Sequence, residues 1–261
     1  MKPFRALAAI CLCGLSAGAF CEEKAADQGA YLAGVTERGR GLFAYDATAA
    51  EGTDAFFSLK PDTKGLAHYI CVKTRDGWTV VFPKWNETHD RLMVVYEAKE
   101  SAGKFSAIKF DKPSAAKDDL LAKERALELA TTDFGKPARP FNIAVLPGPD
   151  GNLFVYLYPG QIKEGVWPLG GDVRYTVSSD GQHIVEKRQL HKALLDLEVK
   201  PNQHAGFHTN DSSDVPEDTD VLYVLNRKPS MPEFIATSKQ LFTIAKDGAI
   251  ESGRQSQAPA Q

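Results

Sequence analysis

Residues 173–188 read VRYTVSSDGQHIVEKR. Two runs rich in β-branched side chains flank Asp180-Gly181, a pair that tolerates positive φ at a tight turn, so the stretch predicts a β-hairpin. The same pair recurs at Asp76-Gly77, Asp150-Gly151 and Asp247-Gly248. Around these turns, strands are expected at 70–73, 78–82, 92–96, 105–110, 141–146, 153–158, 173–177, 183–190, 221–225 and 241–245, where β-branched and aromatic residues concentrate. Successive hairpins imply antiparallel pairing.

Two segments carry helical spacing instead. In 42–57 the apolar residues Leu42, Tyr45, Ala49 and Phe56 share one face, although Gly39, Gly41 and Gly52 oppose a helix by propensity. The second helix is expected after a cap at Pro113-Ser114. Asp118 and Asp119 stand near its positive end, Ala116, Leu120, Leu127, Ala130 and Phe134 form its stripe, and Gly135 and Pro137 stop it. The expected fold class is α+β: a mainly antiparallel sheet with two helices packed on one face.

The N-terminus carries an address. Lys2 and Arg5 precede an unbroken apolar run from Ala6 to Leu15, followed by small residues up to Ala19. That order is the pattern of a cleavable signal peptide over 1–19, with an apolar run too short to anchor in a bilayer. Ala17 and Ala19 fit the cleavage rule and put the mature start at Phe20; Ala19 and Cys21 allow a second cut before Glu22. A periplasmic or secreted location follows, and no transmembrane segment is expected after cleavage. The remaining chain suits a single globular domain over 20–251 with a polar, disordered tail at 252–261 (SGRQSQAPAQ).

Composition narrows the partners. The formal net charge is -3, and loss of Lys2 and Arg5 makes it more acidic. A surface that tracks nucleic-acid phosphates needs clustered Lys and Arg, so no nucleic-acid partner is expected. Of the four cysteines, Cys11 and Cys13 leave with the signal peptide. Cys21 and Cys71 have two readings: a disulfide worth about 4 kcal/mol on the chain-entropy model, or a buried Cys71 thiol in the apolar run HYICV.

Standard catalytic motifs give no site: HExxH and GxxxxGK[ST] do not occur, and GxSxG occurs at Gly14–Gly18, inside the expected signal peptide, so no serine-nucleophile elbow is expected. Gly39-Arg-Gly41 lacks the third glycine and the preceding strand of a dinucleotide loop. Asp46 and Asp54 on the first helix could face the sheet, with solvent exposure the ordinary alternative. Tyr156, Tyr158, Trp78 and Trp167 could line a pocket, although strand aromatics usually pack in cores.

One region concentrates metal-ligand chemistry: HAGFHTNDSSDVPEDTD, residues 204–220. His204 and His208, four apart, project to one side in either backbone period, with Gly206 leaving room between them. Asp220 closes the acidic stretch where the apolar run VLYVL begins. His204, His208 and Asp220 therefore form a candidate site for a divalent transition metal, Zn²⁺ or Fe²⁺, with His191 a further nitrogen. A solvated acidic loop with structural histidines is the competing reading.

The stretches RGRGLFAYDATAAEGTDAF, LGGDVRYTVSSDG and AGFHTN...PEDTDVLYVLNRKP resemble segments of uncharacterised exported proteins of Gram-negative bacteria, and that resemblance implies no particular activity. His208-Thr-Asn210 with the serine and aspartate after it is similar to the metal motif of JAMM-type isopeptidases. Asn210 replaces that motif's second histidine and the serine spacing differs, so those catalytic roles are not carried over.

Three functions suit these observations: an exported accessory or binding protein, a metal-dependent hydrolase using His204, His208 and Asp220, and an envelope assembly or structural protein. The partner protein or small ligand is unspecified by sequence. N-terminal sequencing of the exported protein should return Phe20 or Glu22 as the first residue. A retained Met1 there would refute the signal peptide.

Overall fold

A computed structural model describes residues 17–253, with side chains from 27 onward. Most of the expected signal peptide (1–16), the side chains at both expected cleavage points and residues 254–261 of the expected tail lie outside the described residues. Among the described residues no helix is long and apolar enough to cross a membrane.

Helix α1 (Ala17–Ser58) contains the expected 42–57 segment and continues far to its N-terminal side. Leu32, Val35, Leu42, Tyr45, Ala49 and Phe56 are buried along it at helical spacing. Gly39, which counts against a helix by propensity, is where another helix packs closest: a Cβ there would lie 2.4 Å from that of Val221. Tertiary contact overrides propensity at that position.

Strands β1 (Ile70–Thr74), β2 (Gly77–Trp85), β3 (Leu92–Ser101) and β4 (Lys104–Ala115) form an antiparallel sheet in chain order. β4 runs through Pro113 and Ser114, so the expected cap is strand. Helix α2 (Asp118–Phe134) starts after Lys117, keeps Asp118 and Asp119 in its first turn, and stops at Gly135, where φ is 77°. Strands β5 (Phe141–Pro147) and β6 (Leu153–Pro159) pair antiparallel; β7 (Val166–Gly170) departs, and β8 (Val173–Val177) and β9 (Ile184–Gln189) complete a second sheet in the order β5-β6-β8-β9. β10 (Leu194–Glu198) pairs with β7.

The expected hairpin is present, with Val177 opposite Ile184. Its turn is wider than a two-residue loop. Gly181 N–H donates to the Ser178 carbonyl at 2.8 Å, and Gly181 alone of the Asp-Gly pair has positive φ, at 76°.

The C-terminal part holds the main correction. β11 (Gly206–Thr209) and β12 (Glu233–Ala236) are parallel, with helix α3 (Asp218–Asn226) in the crossover between them; β13 (Leu241–Ile244) and β14 (Ile250–Ser252) extend the sheet antiparallel. The expected strand 221–225 is thus the body of α3. A short apolar run buried on all sides does not reveal its period, and Asp218 through Val224 are all buried. The described residues form a mixed α+β fold with three α-helices and mostly antiparallel sheets, so the expectation of two helices is not met in number.

Two apolar cores result. The larger joins α1 and α2 to the first two sheets. The smaller gathers Val221, Val224, Ile235, Phe242 and Ile244 around Leu32 and Val35 of α1.

Gly181 also touches α2: a Cβ there would stand 2.1 Å from the Ala122 carbonyl oxygen. Gly181→Ala should therefore lower stability by ~1–3 kcal/mol, through positive φ and overpacking together. Urea denaturation measures this, and an unchanged midpoint would refute close docking of the hairpin on α2.

Candidate metal centre

The centre is built on the first turn of α3. Glu217 is the N-cap and Asp220 the third helical residue, and their side chains cap each other's backbone in a capping box. Asp220 Oδ2 accepts the Glu217 N–H at 2.8 Å, which leaves Oδ1 for other partners. The helix N-terminus also favours negative charge there.

Two imidazoles converge on that oxygen. His208 Nε2 lies 3.0 Å from Asp220 Oδ1, and His191 Nε2 lies 3.1 Å from it. His208 points inward because β11 alternates, with Gly206 and His208 buried while Phe207 and Thr209 face out. His191 follows β9 directly after the buried Leu190. Each ring is fixed from behind by a further carboxylate: His208 Nδ1 lies 2.9 Å from Glu233 Oε1, and His191 Nδ1 lies 2.9 Å from Asp172 Oδ1. His191 and His208 are each 7% exposed and Asp220 0%. The His208 contact is a hydrogen bond, whereas His191 Nε2 has no well-aligned hydrogen-bond partner among the described residues.

Electrostatics follow from this order of charges. Burial works against a charged His208, yet hydrogen bonds and charge from Asp220 and Glu233 raise its pKa to about 9. Burial is likewise overcome at His191 by Asp220 and Asp172, which hold its pKa well above the ordinary histidine value. Asp220, despite burial, is held far below the usual carboxylate range by the two imidazoles. Glu217 behaves differently: burial, opposed by Arg188 and reinforced by Asp220 and Asp218, pushes it up to about 7.

The supporting charges are also buried. Glu233 Oε2 pairs with Arg227 Nη1, and Arg227 is 1% exposed. Gly206 gives that pair its space, since a Cβ would fall 1.7 Å from Glu233 Oε2. The room expected beside Gly206 for an ion is occupied by this ion pair. Asp218 accepts from Arg38 Nε at 3.0 Å, Arg174 Nη1 at 2.8 Å and Tyr156 O–H at 2.8 Å. Glu217 pairs with Arg188.

Of the residues expected from sequence, His208, Asp220 and His191 are brought together, with one ligand atom from each within 4.8 Å of the others. His204 is not among them. It is exposed and precedes β11, so it does not share the pleat that aims His208 inward. Asn210, at the isopeptidase motif's histidine position, accepts the Ser212 N–H at 2.9 Å and shapes a turn. The acidic stretch divides: Asp211 and Asp214 are solvent-facing, while Glu217, Asp218 and Asp220 are buried.

Sequence reasoning missed the two outer carboxylates. Asp172 follows Gly170-Gly171 with no recognisable spacing to His191, and nothing near Glu233 marks it. The helical cap was missed as well, because 221–225 read as a strand; an acid at 217 and another three residues later is the signal that could have found it.

The donor set could hold a metal ion. Two imidazole nitrogens and a carboxylate oxygen form a two-histidine, one-carboxylate set. Tetrahedral ligand atoms bound near 2 Å stand about 3.3 Å apart; the two imidazole nitrogens lie 3.0 and 3.1 Å from Asp220 Oδ1, and all three ligand atoms lie within 4.8 Å of one another. Carboxylates on the far nitrogens are the usual means of orienting histidine ligands.

In metal-free protein the raised His208 pKa stabilises the fold. Since the folded value exceeds the unfolded one, that contribution is complete below pH 6.5 and is lost as pH rises through about 9. The expected loss is of order 3 kcal/mol, read from urea melts with chelator present. A flat profile across that window would show that the imidazole is uncharged in the folded state.

No protein family, curated protein or solved structure matches this chain, so the site is read from its own geometry.

Proposed function

We propose that this chain is an exported accessory protein that binds one divalent transition-metal ion, Zn²⁺ or Fe²⁺, through His191 Nε2, His208 Nε2 and Asp220. One observation carries the reading: both imidazoles present Nε2 to one carboxylate oxygen while Asp172 and Glu233 secure their Nδ1 atoms. Export rests on the basic start, apolar run and small residues at the N-terminus.

Three protein ligands leave a coordination position for water or a guest ligand. His191 and His208 line a cleft of about 360 Å³ whose wall includes Leu195, Leu197 and Phe207. That cleft supports a second reading, a metal-dependent hydrolase using the same three ligands, with the ion activating water or polarising a substrate.

Protein purified without a histidine tag should contain about one equivalent of zinc or iron by elemental analysis. His191→Ala and His208→Ala should each abolish binding, while His204→Ala should retain it. Because the ion displaces protons from the imidazoles, affinity should climb as pH rises from 6.5 towards about 9. Metal-free wild type after zinc or iron loading, or full occupancy in both alanine variants, would overturn the assignment.

A further inference from the structure

A second cleft, of about 240 Å³, shares Leu169 and Gly170 with the first and opens where α1, β6, β7 and α3 meet. Asp46 of α1 is the centre of its polar wall. Its carboxylate accepts from Tyr158 O–H at 2.9 Å, Asn226 Nδ2 at 3.2 Å and Asn142 Nδ2 at 3.4 Å. Those donors are all neutral, and no cationic side chain pairs with Asp46 among the described residues. Burial accordingly raises the Asp46 pKa, with Tyr158 and Asn226 only partly offsetting it.

Three more polar atoms of lining residues are buried without a hydrogen-bond partner among the described residues: Asp172 Oδ2, Thr219 Oγ1 and the donor Trp167 Nε1. Asp46 and Asp172 are the charged residues of the described lining, which contains no Lys, Arg or His. Asp172 is partly answered by His191, but Asp46 has no positive partner. A buried carboxylate is stabilised by a paired cation. Tyr158, Trp167 and Tyr223 add aromatic rings, whose faces attract cations.

We propose that this cleft binds a small organic cation: a primary ammonium compound that also carries a hydrogen-bond acceptor. Its ammonium group answers Asp46, with Asp172 Oδ2 a further acceptor, and its own acceptor answers the Trp167 N–H. The site does not depend on the metal centre, although Asp172 belongs to both through its other oxygen.

Isothermal titration calorimetry on metal-free, full-length mature protein tests the proposal with two matched pairs: ethanolamine against ethylene glycol, and glucosamine against glucose. Within each pair the ammonium is replaced by a hydroxyl. At least one amine should bind saturably while its neutral partner does not. Asp46→Asn should weaken the amine by about tenfold or more, as expected for loss of a charge-assisted hydrogen bond. Should Asp46→Asn fail to fold, Trp167→Phe at a partly exposed position takes its place and should weaken binding several-fold. Equal binding of the neutral partner, no binding of either amine up to about 10 mM, or unchanged affinity in the folded variants would overturn the proposal. Metal content, measured separately, keeps failure here distinct from failure of the metal assignment.

Discussion

A carboxylate with no exposed surface, Asp220, constrains everything around it. Taking an ionised carboxylate out of water costs several kcal/mol unless charge and hydrogen bonds replace the lost hydration. Here the replacement comes from three separated parts of the chain: the Glu217 N–H on one oxygen, and the imidazoles of His191 and His208 at the other. These partners bring the end of β9 and the strand β11 to the first turn of α3. The imidazoles in turn require their own carboxylates, which fixes Asp172 before β8 and Glu233 on β12.

The neighbouring acids extend the same logic outward. Asp218, one turn edge away, faces Arg38 of α1 and Arg174 of β8, while Glu217 faces Arg188 of β9. One short helix N-terminus thus holds together α1, the second sheet and the C-terminal sheet. Such networks are unforgiving, because removing one partner leaves an uncompensated charge in a dry interior. The same rigidity suits a ligand set that must hold two imidazoles in register. The apolar contacts of α3, from Val221 and Val224 to Ile235, Phe242 and Ile244, keep water away from the network.

Much of the local structure was legible in the sequence, because hairpins announce themselves through adjacent signals. Asp180-Gly181 marked its turn, and Val177 and Ile184 lie in one ladder as expected, with a bulge between Thr176 and Val177. The failures have a shared physical origin. Val221-Leu-Tyr-Val-Leu225 is buried on almost every side, so polarity does not report whether its period is two or 3.6. The N-terminal extent of α1 was hidden by Gly39, whose missing side chain is needed where α3 packs against it. At the site, His208 and Asp220 were visible because they lie close in sequence. Asp172 and Glu233 act across a fold that sequence spacing does not encode. His204 lies apart from the cluster because its relation to His208 assumed a periodic backbone that begins only at Gly206.

The pairing of imidazole with carboxylate would serve a proton and, on the proposed reading, a metal ion at one place. Carboxylates behind His191 and His208 raise the basicity of both rings, and a basic ring holds a proton and a metal ion more strongly alike. With protons bound, two imidazolium groups and the Arg227 guanidinium face Asp172, Asp220 and Glu233, so three buried positive charges meet three negative ones without an ion. A metal ion held by the two Nε2 atoms would displace the protons facing Asp220 and supply positive charge in their place. The Nδ1 contacts to Asp172 and Glu233 lie away from Nε2, so metal binding there would not require the rings to reorient. On the proposed metal reading, the balance between proton and ion would therefore be set by pH and by metal availability rather than by a change of structure.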